Sequence, residues 1–345
     1  MQNNDSKIIW ADHLRAFATF SVILIHVAAP GIYQYGKVSN YDWCVSNVFD
    51  GFSRFCVPIF LMLTGALLLP KADRLTDFLK KRFSRILFPF LFWSCIYILY
   101  DLISIGYRGE NWNVSEKSSF VLKQFQYGAS YHLWYVYLLI GIYLFLPIIS
   151  QWIRNSTQNE IAYYILLWLV VIALNLPLIN KFKPNVNLTY FSGFLGYPIL
   201  GYWLNIKFTN RKIKWAALAL FLIGIAITIS GTYWMTANKN HFFSGFYSYL
   251  SPNVILTSIG VFLIFKHSSF SNKWIAILST SISKYSYGIY LSHVFVLMVL
   301  SKLGISGLFI NPILGIPLTT VLCLMISLLI TYSINKIPYG RIVSG

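Results

Sequence analysis

Residues 12–26 read Asp12-His13-Leu14-Arg15-Ala16-Phe17-Ala18-Thr19-Phe20-Ser21-Val22-Ile23-Leu24-Ile25-His26. An apolar run of helical length thus carries an aspartate, an arginine and two histidines, groups that are costly in lipid without partners. Arg15 and His26 are eleven residues apart. At about 100° per residue that is three turns plus roughly 20°, so on a helix both stand on one stripe about 16 Å apart along the axis. Ionisable groups at membrane depth face a bundle interior or a wet cavity, where they serve transport or chemistry. The plainer alternative makes Arg15 an anchor at one interface and places His26 near the opposite headgroups.

The rest of the chain has the same character. With 57% hydrophobic residues, only 11% charged ones and a mean hydropathy of +0.62, 345 residues have too little polar surface for a water-soluble globule. Apolar runs near the bilayer length recur at 8–29, 45–69, 86–106, 131–149, 161–179, 191–206, 214–234, 251–266, 284–303 and 311–335. The expected fold is all-α, a polytopic membrane protein of about ten transmembrane helices, with residues 1–345 as a single membrane domain. The sixth run holds Gly193, Gly196, Pro198 and Gly201, so it is expected to be tilted, broken or re-entrant. No cleavable signal peptide is expected, because the first run carries Asp12 and Arg15.

The net charge of +17 does not point to nucleic acid, since the Lys and Arg residues are spread through short loops, where they report topology. Seventeen fall on the side of the amino terminus and eight on the opposite side, with Arg15 and Arg54 inside helices. The positive-inside rule then puts both termini in the cytoplasm. Cys44, Cys56, Cys95 and Cys323 have neither metal-ligand nor disulfide-framework spacing. No metal is expected.

In this topology Arg15 lies in the cytoplasmic half of the first helix and His26 near its external end. A histidine of near-neutral pKa can take a proton from a hydroxyl, which makes His26 the leading general-base candidate. Asp12 can hold Arg15, either for that chemistry or as a purely structural pair. Arg54, deep in the second run, either faces the same cavity to bind an anion or stabilise a developing oxyanion, or pairs with Asp50. The run Lys80-Lys81-Arg82-Phe83-Ser84-Arg85 either sets topology or cradles phosphates, with Arg82 and Arg85 one turn apart. No phosphate-binding glycine loop is present, so side chains would have to meet phosphates. His132, opening the fourth run, is expected at the level of His26. His293 is expected near the middle of the ninth. Each is either a packing residue or part of the site.

Five motifs in order resemble the integral-membrane acyltransferase 3 family, most closely its enterobacterial-common-antigen O-acetyltransferase branch. They are Asp12-x-Leu14-Arg15 with the spacing to His26, Ser53-Arg54 followed by Val57-Pro58-Ile59-Phe60 and Thr64-Gly65, Lys81-Arg82-x-x-Arg85-Ile86, Tyr131-His132-Leu133-Trp134 with Pro147, and residues 283–293. The resemblance covers nearly the whole chain. Thr64-Gly65 stands where Ser-Gly is commoner, and no hydrolase-like domain follows the tenth run.

The resemblance implies a multi-pass protein of the bacterial inner membrane. It implies an O-acyltransferase that moves an acyl group, most simply acetyl, from cytoplasmic acyl-CoA to a hydroxyl of a cell-surface glycan or lipid-linked saccharide. His26 would be the essential histidine and Arg15 its paired arginine. Lys81, Arg82 and Arg85 would hold coenzyme phosphates. Arg54 or His132 would stabilise the oxyanion, and His132, Trp134, Tyr290 and His293 would contact the acceptor. The alternative reading is a transporter or flippase for a lipid-linked or anionic sugar, with the same charges lining its path.

Overall fold

The computed structural model describes residues 9–109, 112–174, 176, 193–270 and 272–345. The first half of the chain forms α1 (Ile9–Tyr33), α2 (Asn40–Ser53), α3 (Cys56–Leu68), α4 (Leu75–Tyr107), α5 (Val114–Tyr127), α6 (Trp134–Asn155) and α7 (Gln158–Leu174). The second half forms α8 (Gly196–Lys207), α9 (Lys214–Lys239), α10 (Pro252–His267), α11 (Lys273–Lys284), α12 (Ser286–Lys302), α13 (Pro312–Lys336) and α14 (Gly340–Ser344). No strand occurs among the described residues. Seven helical stretches there are long and apolar enough to cross a membrane, and α7 and α12 are shorter apolar helices. The protein is an all-α polytopic membrane protein.

A helix stands at each of the ten expected spans, with instructive departures. The second span is not continuous. It breaks at Arg54 and Phe55 between α2 and α3, because Pro58 has no N–H to give the Arg54 carbonyl and its ring crowds that carbonyl. The third span begins earlier than expected, so Lys80 to Arg85 belong to α4 rather than to a loop before it. Three helices, α5, α11 and the short α14, lie outside the expected spans. α5 is polar and starts with a capping box between Asn113 and Glu116, and α11 is capped by Asn272. In the described part of the sixth span, residues 193–195 form a turn and the helix runs unbroken from Gly196. Pro198 falls in the first turn of α8, where its missing N–H costs little. The start of that span and the end of the fifth lie outside the described residues.

α1 is central, touching α2, α3, α10, α11, α12 and α13. Polar contacts tie it to α11. The Ser283 hydroxyl accepts from Arg15 Nη1 at 2.9 Å and donates to Asp12 Oδ1 at 2.6 Å. One turn earlier, Ser279 Oγ lies 2.6 Å from His13 Nδ1. Between apolar helices in lipid, close packing replaces the hydrophobic drive, and small residues permit it. α3 and α8 show this reciprocally. A Cβ on Gly65 would stand 1.8 Å from the Pro198 carbonyl oxygen, and one on Gly201 would stand 2.2 Å from that of Met62. With one stripe of α3 pressed onto α8, the stripe Val57, Phe60, Thr64 and Leu67 is left for a cavity wall.

Gly65→Val or Gly201→Val should therefore destabilise the detergent-solubilised protein by about 2–4 kcal/mol, since backbone must move to admit the side chain. Gly141→Ala, with open space at its Cβ, should be neutral or gain up to about 1 kcal/mol. Thermal unfolding of the three variants checks both, and equal stabilities would refute the packing argument.

Candidate functional site

The stripe on α1 decides where the site is. Ala11, Asp12, Arg15, Val22 and His26 recur at intervals of one and two turns and line a single cavity of about 1320 Å³. That exceeds the roughly 300–1,000 Å³ of a drug-sized ligand site and suits a long molecule. At one end stand Lys71, Lys81, Arg82, Arg85, Lys284 and Arg341. At the other are His26, His132, Trp134 and Tyr249. Tyr135 and Tyr143, two turns apart on α6, and Tyr287 and Tyr290, one turn apart on α12, form aromatic walls between. Arg15 stands along the path from the cationic mouth to the histidines, its guanidinium 3.5 Å from Asp12 and fixed by Ser283.

Around His26 the fold collects two more imidazoles. Ring centroids are 5.1 Å apart for His26 and His293, 5.1 Å for His132 and His293, and 6.4 Å for His26 and His132. His293 is 0% exposed and stands behind His26 rather than on the cavity wall. Its Nδ1 lies 2.6 Å from the Tyr290 carbonyl. A carbonyl only accepts, so Nδ1 carries the hydrogen and Nε2 is left as a lone pair. That Nε2 is buried with no hydrogen-bond partner. His132 Nδ1 meets Ser130 Oγ at 3.0 Å, and its Nε2 is likewise buried without a partner. The Tyr290 hydroxyl donates to the His132 carbonyl, and Tyr97 bonds to the Leu291 carbonyl at 2.9 Å, which locks α4, α6 and α12 around the three rings.

Backbone chemistry marks the same cavity. Pro30, Pro89 and Pro147 lie inside α1, α4 and α6. Each removes the N–H that would serve the carbonyl four residues earlier. Those carbonyls belong to His26, Arg85 and Tyr143, all on the cavity wall. Freed carbonyls at membrane depth are tolerated where a cavity or neighbouring groups can meet them.

Arg54 is not among the residues of the cavity wall, so of its two expected placements the pairing with Asp50 holds and the place facing His26's cavity does not. The break before α3 turns it onto Asp50, with its guanidinium carbon 4.1 Å from the centre of the Tyr247 ring. Asp50 is 0% exposed, whereas Arg54 keeps 14% of its side chain accessible, so the acid is enclosed and its arginine only partly so. Of the other expected site residues, Asp12, Arg15, His26, Lys81, Arg82, Arg85, His132, Trp134 and Tyr290 line the cavity. His293, expected to touch the acceptor, is not on the cavity wall and adjoins it only through His26, His132 and Tyr290. Lys71, Lys284 and Arg341 were counted in the sequence solely as topology charges. Tyr143 had a legible signal, since Tyr135, Leu139 and Tyr143 repeat every fourth residue along α6. Among the described residues no group of three or more His, Cys, Asp or Glu side chains is placed to hold a metal ion.

The family model described as an acyltransferase domain matches residues 8–332. No curated protein and no solved structure matches the chain. The matched stretch contains both ends of α1's polar stripe, the basic run of α4 and all three clustered histidines. This chain belongs to the acyltransferase 3 family and is a membrane acyltransferase.

Proposed function

We propose that the protein is an O-acyltransferase of the bacterial inner membrane that transfers an acetyl or similar acyl group from cytoplasmic acyl-CoA to a hydroxyl of a cell-surface glycan or lipid-linked saccharide. The observation that carries this reading is one cavity joining a cationic mouth to a histidine cluster. Phosphates of the donor rest on Lys81, Arg82 and Arg85. The pantetheine arm runs between the tyrosines and past Arg15, which brings the thioester to His26. With both termini cytoplasmic, the mouth opens to the cytoplasm and the histidines lie toward the external side, where the acceptor enters past Trp134 and Tyr290. A carrier reading is not retained, because the family is one of acyltransferases. Residues 1–345 act as one domain, since the cavity draws its walls from α1 through α14.

In the transfer, His26 takes the proton of the acceptor hydroxyl as its oxygen bonds to the thioester carbon. The tetrahedral oxyanion collapses, the C–S bond breaks, and the leaving thiolate takes the proton from His26. Arg54 is committed to Asp50, so His132, with an unpartnered Nε2 at the cavity wall, is the better oxyanion donor. For that role Ser130 donates to His132 Nδ1, and Nε2 carries the hydrogen. His293 packs its ring 5.1 Å from that of His26, and its Nε2 lone pair, unpartnered in the resting structure, is available to the imidazolium that forms on His26, the third-group logic of an oriented base.

Three outcomes test this. His26→Ala should lower acceptor-dependent release of coenzyme thiol by about 10²–10⁴-fold while the protein still binds acetyl-CoA, and a normal rate in folded protein overturns the assignment. Arg82→Ala and Arg85→Ala should each raise KM for acetyl-CoA by about tenfold with little change in kcat, measured in nanodiscs with radiolabelled acetyl donor. His293→Phe should cut kcat by about 10–10²-fold without altering donor binding. A matching loss in donor affinity would show that His293 only supports the cavity.

A further inference from the structure

The family match ends at residue 332, yet the cavity does not. Asn335, Arg341, Ile342 and Gly345 also line its cationic mouth. They are held there by a built turn. Tyr339 adopts a left-handed backbone with φ of 62°, which folds α14 back against α13 and α4. Gly340 lies against the Ile334 carbonyl, where a Cβ would stand 1.7 Å from its oxygen. Ser344 is 1% exposed and its hydroxyl accepts from Asn335 Nδ2 at 2.6 Å. Gly288 of α12 is so close that a Cβ there would stand 2.1 Å from the Ser344 carbonyl oxygen. The last turn is therefore packed into the bundle, and Arg341 is carried to the mouth by a fixed element.

The mouth cations come in two sets. Lys81, Arg82 and Arg85 stand together on α4, while Lys284 ends α11 and Arg341 lies on α14. None of these five forms an ion pair with a carboxylate among the described residues, where the ion pairs are Asp12 with Arg15 and Asp50 with Arg54. Arg82 Nε is moreover buried without an acceptor. Lys81, Arg85, Lys284 and Arg341 are exposed at the rim of the cavity and Arg82 is half-buried, so the five form a solvent-reachable cationic rim suited to an anion with more than one charged group. A diphosphate is met by arginines one turn apart on one helix. Lys284 and Arg341 come from two other helices, α14 being packed on α4, and add donors beside that diphosphate for a second phosphate of the same molecule.

We propose that α14 is a donor-specificity element, and that Arg341 with Lys284 binds the ribose 3′-phosphate of a nucleotide thioester whose diphosphate rests on α4. The assignment depends on the acyl-CoA reading above and goes beyond it, since it sorts donors by a phosphate remote from the reacting thioester. Binding energy from that remote phosphate would be expressed in kcat/KM.

The test compares acetyl-CoA with 3′-dephospho-acetyl-CoA on full-length protein in nanodiscs. Wild type should prefer acetyl-CoA by roughly fivefold to tenfold in kcat/KM, and Arg341→Gln should bring the ratio down to about twofold or less. Arg341→Lys should keep most of the preference, which separates loss of charge from misfolding of α14. In parallel, adenosine 3′,5′-bisphosphate should compete with donor binding better than adenosine 5′-monophosphate in wild type, and no better in the Arg341→Gln, Lys284→Gln double variant. A wild-type ratio of one, or an undiminished ratio in Arg341→Gln, overturns the role of α14 and leaves the acyl-CoA reading standing. If wild type consumes neither thioester, both readings fall.

Discussion

Arg15 and Asp12 share one hydroxyl, that of Ser283, across the gap between α1 and α11. Two opposite charges one turn apart on a membrane helix still need their remaining hydrogen-bonding capacity met, since lipid meets none of it. Ser283 meets part of it from a second helix and thereby sets the rotation of α1. With Arg15 turned toward α11 and the cavity, the helical period brings His26 to the same cavity three turns on. The long polar path follows from that one rotation.

Arg54 and Asp50 show the same chemistry put to a different use. Both pairs join an arginine to an aspartate one turn before it, yet Arg15 stands on the cavity wall whereas Arg54 lies against Asp50 and Tyr247. A pair with a buried acid is destabilising to break, and most of the arginine's hydrogen-bonding capacity is spent on that partner. An arginine that shares its acid with a serine retains donors for a ligand. The distinction lies in the neighbours, not in the residue type.

The histidine cluster depends on crossings far from it in sequence. His26 comes from α1, His132 from the turn before α6 and His293 from α12, and tyrosine hydroxyls bonded to backbone carbonyls hold those elements together. Close approach of α3 to α8 through glycines sets the wall on the remaining side. Packing in lipid makes such crossings depend on small residues, so the cavity is as sensitive to a glycine as to a histidine.

Composition and hydropathy were enough to establish an all-α membrane protein, because twenty-residue apolar runs have few other homes. The period of the first run and the order of the motifs also made Arg15, His26, Arg82 and Arg85 legible, since residues one to three turns apart share a helix face whatever the rest of the chain does. Tertiary structure alone decided which charges meet the cavity. Arg54 was withdrawn from it by a proline-induced break, His293 was placed behind His26, and Lys284 and Arg341, indistinguishable in sequence from charges that set topology, were brought to the mouth. Those outcomes depend on contacts between residues up to hundreds of positions apart, and local periodicity carries no information about which distant helix a face will meet.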